Sequence, residues 1–173
     1  MTRRLQAAGW ALIALAVLGC AAPVFTNNPS PGSGGDAASA TKGLVIAALG
    51  GVGLQAVDSA KPYRPSEAAV LAGAPRSIVQ VQLPDDPDHG FVVIYALGSA
   101  VSAENAAVAQ AAHVASGTGG IQFPPGSHFV IRLVDTTVIF FTWSPGTSPD
   151  ARTHLIEDAL NTVGLAVVAR TGG

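Results

Sequence analysis

HFVIRLVDTTVIFFTW, residues 128–143, is two β-branched and aromatic runs on either side of Asp135-Thr136. That composition favours extended chain, and a two-residue connection folds such runs into an antiparallel hairpin. With Asp135 and Thr136 at the turn, Val134 faces Thr137, Leu133 faces Val138, Arg132 faces Ile139 and Val130 faces Phe141. One face then carries Phe129, Ile131, Leu133, Val138 and Phe140. The other carries Val130, Ile139, Phe141 and Trp143 beside Arg132. Asp-Thr is not the preferred turn pair, and a one-residue slip would exchange the two faces.

Both faces are too apolar for a sheet with one side in water. Either helices or the segment 42–57 cover the second face, or it is an exposed surface. In the latter case Val130, Arg132, Ile139, Phe141 and Trp143 would meet a protein partner, a second copy of the chain or a hydrophobic ligand.

Upstream of the hairpin, residues 78–83 (IVQVQL) alternate and read as a half-buried strand, and 90–97 (GFVVIYAL) as a more apolar one. Residues 102–116 read as a helix with Ser102 as N-cap, Ala107, Ala111 and Val114 inward, and Gln110 and His113 on the outer side. Residues 42–49 suit a helix ended by Gly50-Gly51, 52–57 a short strand, and 66–72 a short helix capped by Ser66. After the hairpin, Ser148-Pro149-Asp150 reads as N-cap, first helical position and acidic first turn. The apolar stripe would be Ala151, Leu155, Ala159, Leu160 and Val163, closed by Gly164. The order contains two ββα units. It predicts an α+β fold: an antiparallel sheet of about four to five strands with helices packed mainly on one face.

The connection between the first two strands, Pro84 to Gly90, gathers Asp85, Asp86, Asp88 and His89. Three carboxylates and an imidazole within five residues are candidate ligands for a hard cation, although a calcium loop needs six or more oxygens. Asp and Pro are equally the residues of a solvated turn. Gly50-Gly51-Val52-Gly53 lacks the Lys-Ser/Thr of a phosphate loop and the spacing of a dinucleotide fingerprint, so no cofactor is expected. No Gly-x-Ser-x-Gly elbow and no His-Glu-x-x-His pair occurs, which gives hydrolysis little support.

The chain starts differently. Arg3-Arg4 precedes an apolar run from Ala7 to Leu18, and the sole cysteine of the 173 residues follows at position 20. A basic start and a short apolar core are the marks of an export signal, and the run is shorter than the roughly 20 residues needed to span a bilayer. Val17-Leu18-Gly19-Cys20 resembles the lipobox of bacterial lipoproteins. That resemblance implies cleavage before Cys20, acylation of the cysteine (diacylation on sulfur) and an extracytoplasmic protein anchored to a bacterial membrane. Acyl chains contribute about 0.8 kcal/mol per buried methylene, so two or more anchor firmly. The expected division is a signal over 1–19, a lipidated Cys20 and flexible Pro, Gly and Ser-rich tether over 20–41, and one domain over 42–173. In outline that domain resembles small extracytoplasmic domains of bacterial lipoproteins, which implies no chemistry.

The chain holds 9 basic and 11 acidic residues; without Arg3 and Arg4 the balance is 7 to 11. An acidic chain without basic clusters is no candidate for nucleic acid. With Cys20 lipidated no thiol remains for an intramolecular disulfide, so stability rests on apolar burial. The expected function is a membrane-anchored binding or interaction module. Capture of a small ligand or metal ion at the envelope is the alternative.

Overall fold

Every residue of the strand Phe91–Ala96 is buried, as its unbroken apolar run FVVIYA requires: with no polar alternate positions, it needs a covering layer on each side. The computed structural model, which describes residues 33–167, supplies both layers. In chain order the elements are α1 (Ser33–Gly51), β1 (Ala56–Asp58), α2 (Ala69–Ala72), β2 (Arg76–Val81), β3 (Phe91–Ala96), α3 (Ala100–Ala115), α4 (Gly117–Gly120), β4 (His128–Val134), β5 (Thr137–Trp143), α5 (Thr153–Leu160) and β6 (Leu165–Ala166). The fold is α+β. Its strands form one sheet in the order β1-β2-β3-β5-β4-β6, antiparallel throughout. Six strands exceed the four to five expected because β6, at two residues, is too short to announce itself; β1, at three residues, falls at the end of the stretch 52–57 read as a strand. Short edges also limit edge-to-edge pairing.

The 128–143 hairpin adopts the register read from its sequence, including Arg132 opposite Ile139 and Val130 opposite Phe141. Asp135 takes φ 47°, the left-handed conformation that Asp tolerates better than most residues.

Helices lie on both faces of the sheet, not mainly on one. On the first, α1 and α5 bring Val45, Leu49, Ile156 and Leu160 against Val79, Ile94, Val130, Ile139 and Phe141. On the second, Ala103, Ala106, Ala107 and Ala111 of α3, with Leu71 of α2, meet Val93, Tyr95, Ile131, Val138 and Phe140. Small residues on α3 allow its close approach to the aromatic side of the sheet. Val130, Ile139 and Phe141 are therefore core, at 4%, 0% and 1% exposure, and the proposed partner surface is already occupied by this chain's own helices.

Arg132, also placed on that surface, is buried with them and serves the fold. Its Nε donates to the Val163 carbonyl at 2.7 Å and its Nη2 to the Gly164 carbonyl at 2.8 Å. These oxygens lie just beyond the end of α5, where carbonyls lack helical partners. Gly164 has φ +59°, and a Cβ there would lie 2.3 Å from the Leu133 carbonyl oxygen. The chain thus crosses against β4 before pairing with it as β6.

α1 begins inside the segment read as tether. Ala38, Thr41, Val45 and Leu49 recur at helical spacing and are buried, and Thr41 Oγ1 hydrogen-bonds Thr137 Oγ1 at 2.8 Å. The folded domain therefore includes residues upstream of 42, with Ala38 and Thr41 already docked on the sheet. Alanine and serine suit both a linker and a helix, and only docking on the sheet decides between them. Among the described residues no helix is long and apolar enough to cross a membrane. Cys20, and the signal that precedes it, lie outside the described residues.

Candidate functional site

A cleft of ≈ 290 Å³ opens at one end of the sheet, between four segments remote in sequence. The end of β5 and its following loop contribute Thr142, Trp143, Ser144, Thr147 and Ser148; the α4–β4 connection contributes Phe123, Pro124 and Ser127. The α2 approach adds Tyr63, Arg64 and Ser66, and the β2–β3 connection adds His89.

Three of these side chains are each held from behind by a carboxylate outside the cleft. Trp143 Nε1 donates to Glu157 Oε2 at 2.9 Å, and His128 stacks on the indole with ring centroids 4.6 Å apart. The indole N–H is thus used, leaving the ring for apolar contact. His89 Nδ1 is engaged by Asp86 Oδ1; Asp86 is 3% exposed, whereas the imidazole is half exposed. Arg64 pairs with Glu67 through Nε and donates from Nη2 to the Ala72 carbonyl.

Glu67 is shared. Arg76 Nη1 donates to both of its oxygens at 3.2 Å, and Tyr95 Oη donates to Oε2 at 2.6 Å. Burial opposes ionisation of Glu67, but the hydrogen bonds from Tyr95 and Arg64 and the charges of Arg76 and Arg64 outweigh it and hold its carboxyl below the usual value. Burial, then the Glu67 hydrogen bond, pushes the Tyr95 phenol far up, so it remains a neutral donor. Tyr63 stacks on Phe91 at 4.7 Å, and burial raises its phenol too.

The walls are braced from within. Gln110 is fully buried; its Oε1 accepts from the Ala68 N–H at 2.7 Å and its Nε2 donates to the Ser66 carbonyl at 3.2 Å. Ser66 Oγ hydrogen-bonds His113 Nε2 at 2.9 Å. The sequence places Gln110 and His113 on the outer side of α3, and Ser66 as the cap of α2. Instead α3 uses them to pin the segment 66–68, and α2 starts at Ala69 without a side-chain cap. α3 itself is capped by Ser99, not Ser102. Ser144, 2% exposed, donates from Oγ to the Pro125 carbonyl at 3.2 Å and ties two cleft loops together.

α5 also starts later than its sequence suggests, at Thr153. Asp150 Oδ1 accepts from the Arg152 backbone N–H, and its carboxylate pairs with the Arg152 guanidinium. Ala151 is exposed, and Ile156 takes its place in the stripe.

The four candidate metal ligands do not converge. Asp86 turns inward to His89, and its Oδ2 is buried without a hydrogen-bond partner among the described residues. Asp88 pairs with Lys61 at 2.8 Å in solvent. Asp85 is exposed, and its backbone N–H donates to Asp150 Oδ2. Among the described residues no group of three or more His, Cys, Asp or Glu side chains is placed to hold a metal ion. The stretch is a turn that positions one imidazole.

Of the sequence-derived partner residues only Trp143 lines the cleft. Tyr63, Arg64, Ser66, Phe123 and Ser127 were missed, since they come from turns whose proximity is tertiary. The available signal was an aromatic beside proline in both KPYRP (61–65) and FPPG (123–126). Compared with protein-family models, curated proteins and solved structures, the chain matches none of them.

Proposed function

We propose that this protein is an extracytoplasmic binding module, anchored to a bacterial membrane through a lipidated Cys20, that takes a small ligand in the cleft beside Trp143. The observation that carries the reading is the cleft's construction: Trp143, His89 and Arg64 line it and each is fixed from behind by a carboxylate. Ligand sites combine apolar walls with a few pre-positioned polar groups, and holding those groups in place lowers the ordering cost of binding. With the second sheet face covered by α1 and α5, small-ligand capture is favoured over a broad protein interface. The lipobox resemblance and the missing basic patch support the location and the exclusion of nucleic acid.

The chain contains two tryptophans, Trp10 and Trp143. Cleavage before Cys20 removes Trp10, and in a chain that keeps its first 19 residues Trp10→Phe does the same, so fluorescence reports Trp143 alone. Titration with indole-free probes, phenylacetate and 2-phenylethanol, is expected to change Trp143 emission saturably, and Phe123→Ala to weaken the response. A linear response, unchanged by Phe123→Ala, would contradict the reading.

A further inference from the structure

Eleven acidic residues outnumber nine basic ones in this chain, yet no Asp or Glu lines the cleft, whereas Arg64 and His89 do. The nearby acids are turned to their own donors. Glu67 has a 5% exposed side chain and accepts from Arg64, Arg76 and Tyr95. Asp86 is buried against His89, and Glu157 accepts from Trp143 and His128. Two guanidiniums share the single Glu67 carboxylate, so this three-residue cluster carries one positive charge in excess, while Asp86 and Glu157 lie behind the cleft wall rather than on it. Arg64, its side chain 52% exposed, has Nη1 without a protein partner among the described residues. Beside it lie the hydroxyls of Thr142 and Ser148 and the rings of Tyr63, Phe123 and Trp143.

Resting on the cleft reading above, we propose that the ligand is an aromatic carboxylate: its anionic group is held by Arg64, with the hydroxyls of Thr142 and Ser148 as further donors, and its ring by Trp143, Tyr63 and Phe123. Charge-assisted bonds from guanidinium to carboxylate are short and strong, and a carboxylate meets no like charge on the cleft wall. A cleft of ≈ 290 Å³ lies at the small end of ligand sites, which suits a single ring and its acid. The acid can belong to a free aromatic acid or to the aromatic C-terminus of a peptide.

The test is calorimetric titration of the full chain in detergent with phenylacetate, 2-phenylethanol and phenethylamine, which share a ring and differ in charge. Phenylacetate is expected to bind roughly tenfold tighter than the alcohol, with the amine weakest. Arg64→Gln is expected to abolish that preference, so that phenylacetate and the alcohol bind alike. If Arg64→Gln lowers the melting temperature into the working range, Arg64→Lys serves instead and is expected to keep part of the preference. Equal binding of anion and alcohol, or a preference that survives Arg64→Gln, overturns the proposal while leaving the cleft as a binding site. Failure of all three probes to bind overturns the proposal and the cleft reading together. A fourth arm, N-acetylalanylphenylalanine, separates the sources: tighter binding than phenylacetate assigns a peptide C-terminus, weaker binding a free acid.

Discussion

Glu157 Oε2 accepts the indole N–H of Trp143 at 2.9 Å and lies 3.2 Å from Nδ1 of His128. One carboxylate on α5 thus fixes an aromatic wall of the cleft at the end of β5. Glu157→Ala is expected to cost about 1–2 kcal/mol of stability, the range for a hydrogen bond to a partly exposed charged group. It should also free the indole, seen as a shifted and broadened Trp143 Nε1–H resonance and a several-fold loss of probe affinity.

Arg132 tests whether the second hairpin face is core. Arg132→Met removes the donors to the Val163 and Gly164 carbonyls and is expected to destabilise the fold by about 2–4 kcal/mol in urea denaturation. Arg132→Lys should not restore it, because an ammonium lacks the fork that reaches both oxygens. A surface role would make both substitutions neutral to stability.

Gly164→Ala places a Cβ at φ +59° and 2.3 Å from a backbone oxygen of β4. The expected loss exceeds about 2 kcal/mol, combining left-handed strain with overpacking. Gly50→Ala, with open space around it, should leave the urea midpoint unchanged or raised.

Acid should unfold the domain through Glu67 and Asp150. The side-chain hydrogen bond from Arg152, against burial, and the backbone N–H groups of Arg152 and Asp85 hold the Asp150 carboxyl well below its usual value. Glu67 is likewise depressed. A carboxyl depressed in the folded state binds its proton first in the unfolded chain. Its contribution is therefore full above the unfolded value of about 4 and is lost as pH falls through the lower folded value. Urea midpoints should hold from pH 7 to about 5 and then decline. Asp150→Asn and Glu67→Gln should each lower the midpoint at pH 7 and flatten the acid limb.

Cys20 carries the localisation reading. Cells fed an alkyne-bearing fatty acid should label the chain, and Cys20→Ala should abolish both the label and sedimentation with membranes. Unlabelled protein that still sediments would contradict lipid anchoring.

The hairpin could be read to single-residue register because β-branched and aromatic residues fill both runs and leave only two residues between them. The α+β class followed from the order of such runs. What escaped was decided by contacts remote in sequence. Residues 33–41 spell a linker until Ala38 and Thr41 dock on the sheet. Gln110 looks like a solvent-facing polar residue until the backbone at Ser66 and Ala68 supplies its partners. The cleft draws on four separate turns, and no local pattern announces their meeting. The aspartates at 85, 86 and 88 illustrate the reverse error: proximity along the chain suggests a metal site, but the turn sends Asp86 to His89 and Asp88 to Lys61 and leaves Asp85 exposed.

The most direct test of the account is an amide and indole NMR map of the full chain with and without phenylacetate. The account predicts saturable shifts at the Trp143 indole N–H and at the backbone of Arg64, Ser66, His89, Phe123 and Ser127, with α1 and α3 unmoved. Shifts centred on the outer faces of those helices, or none at saturating probe, would contradict it.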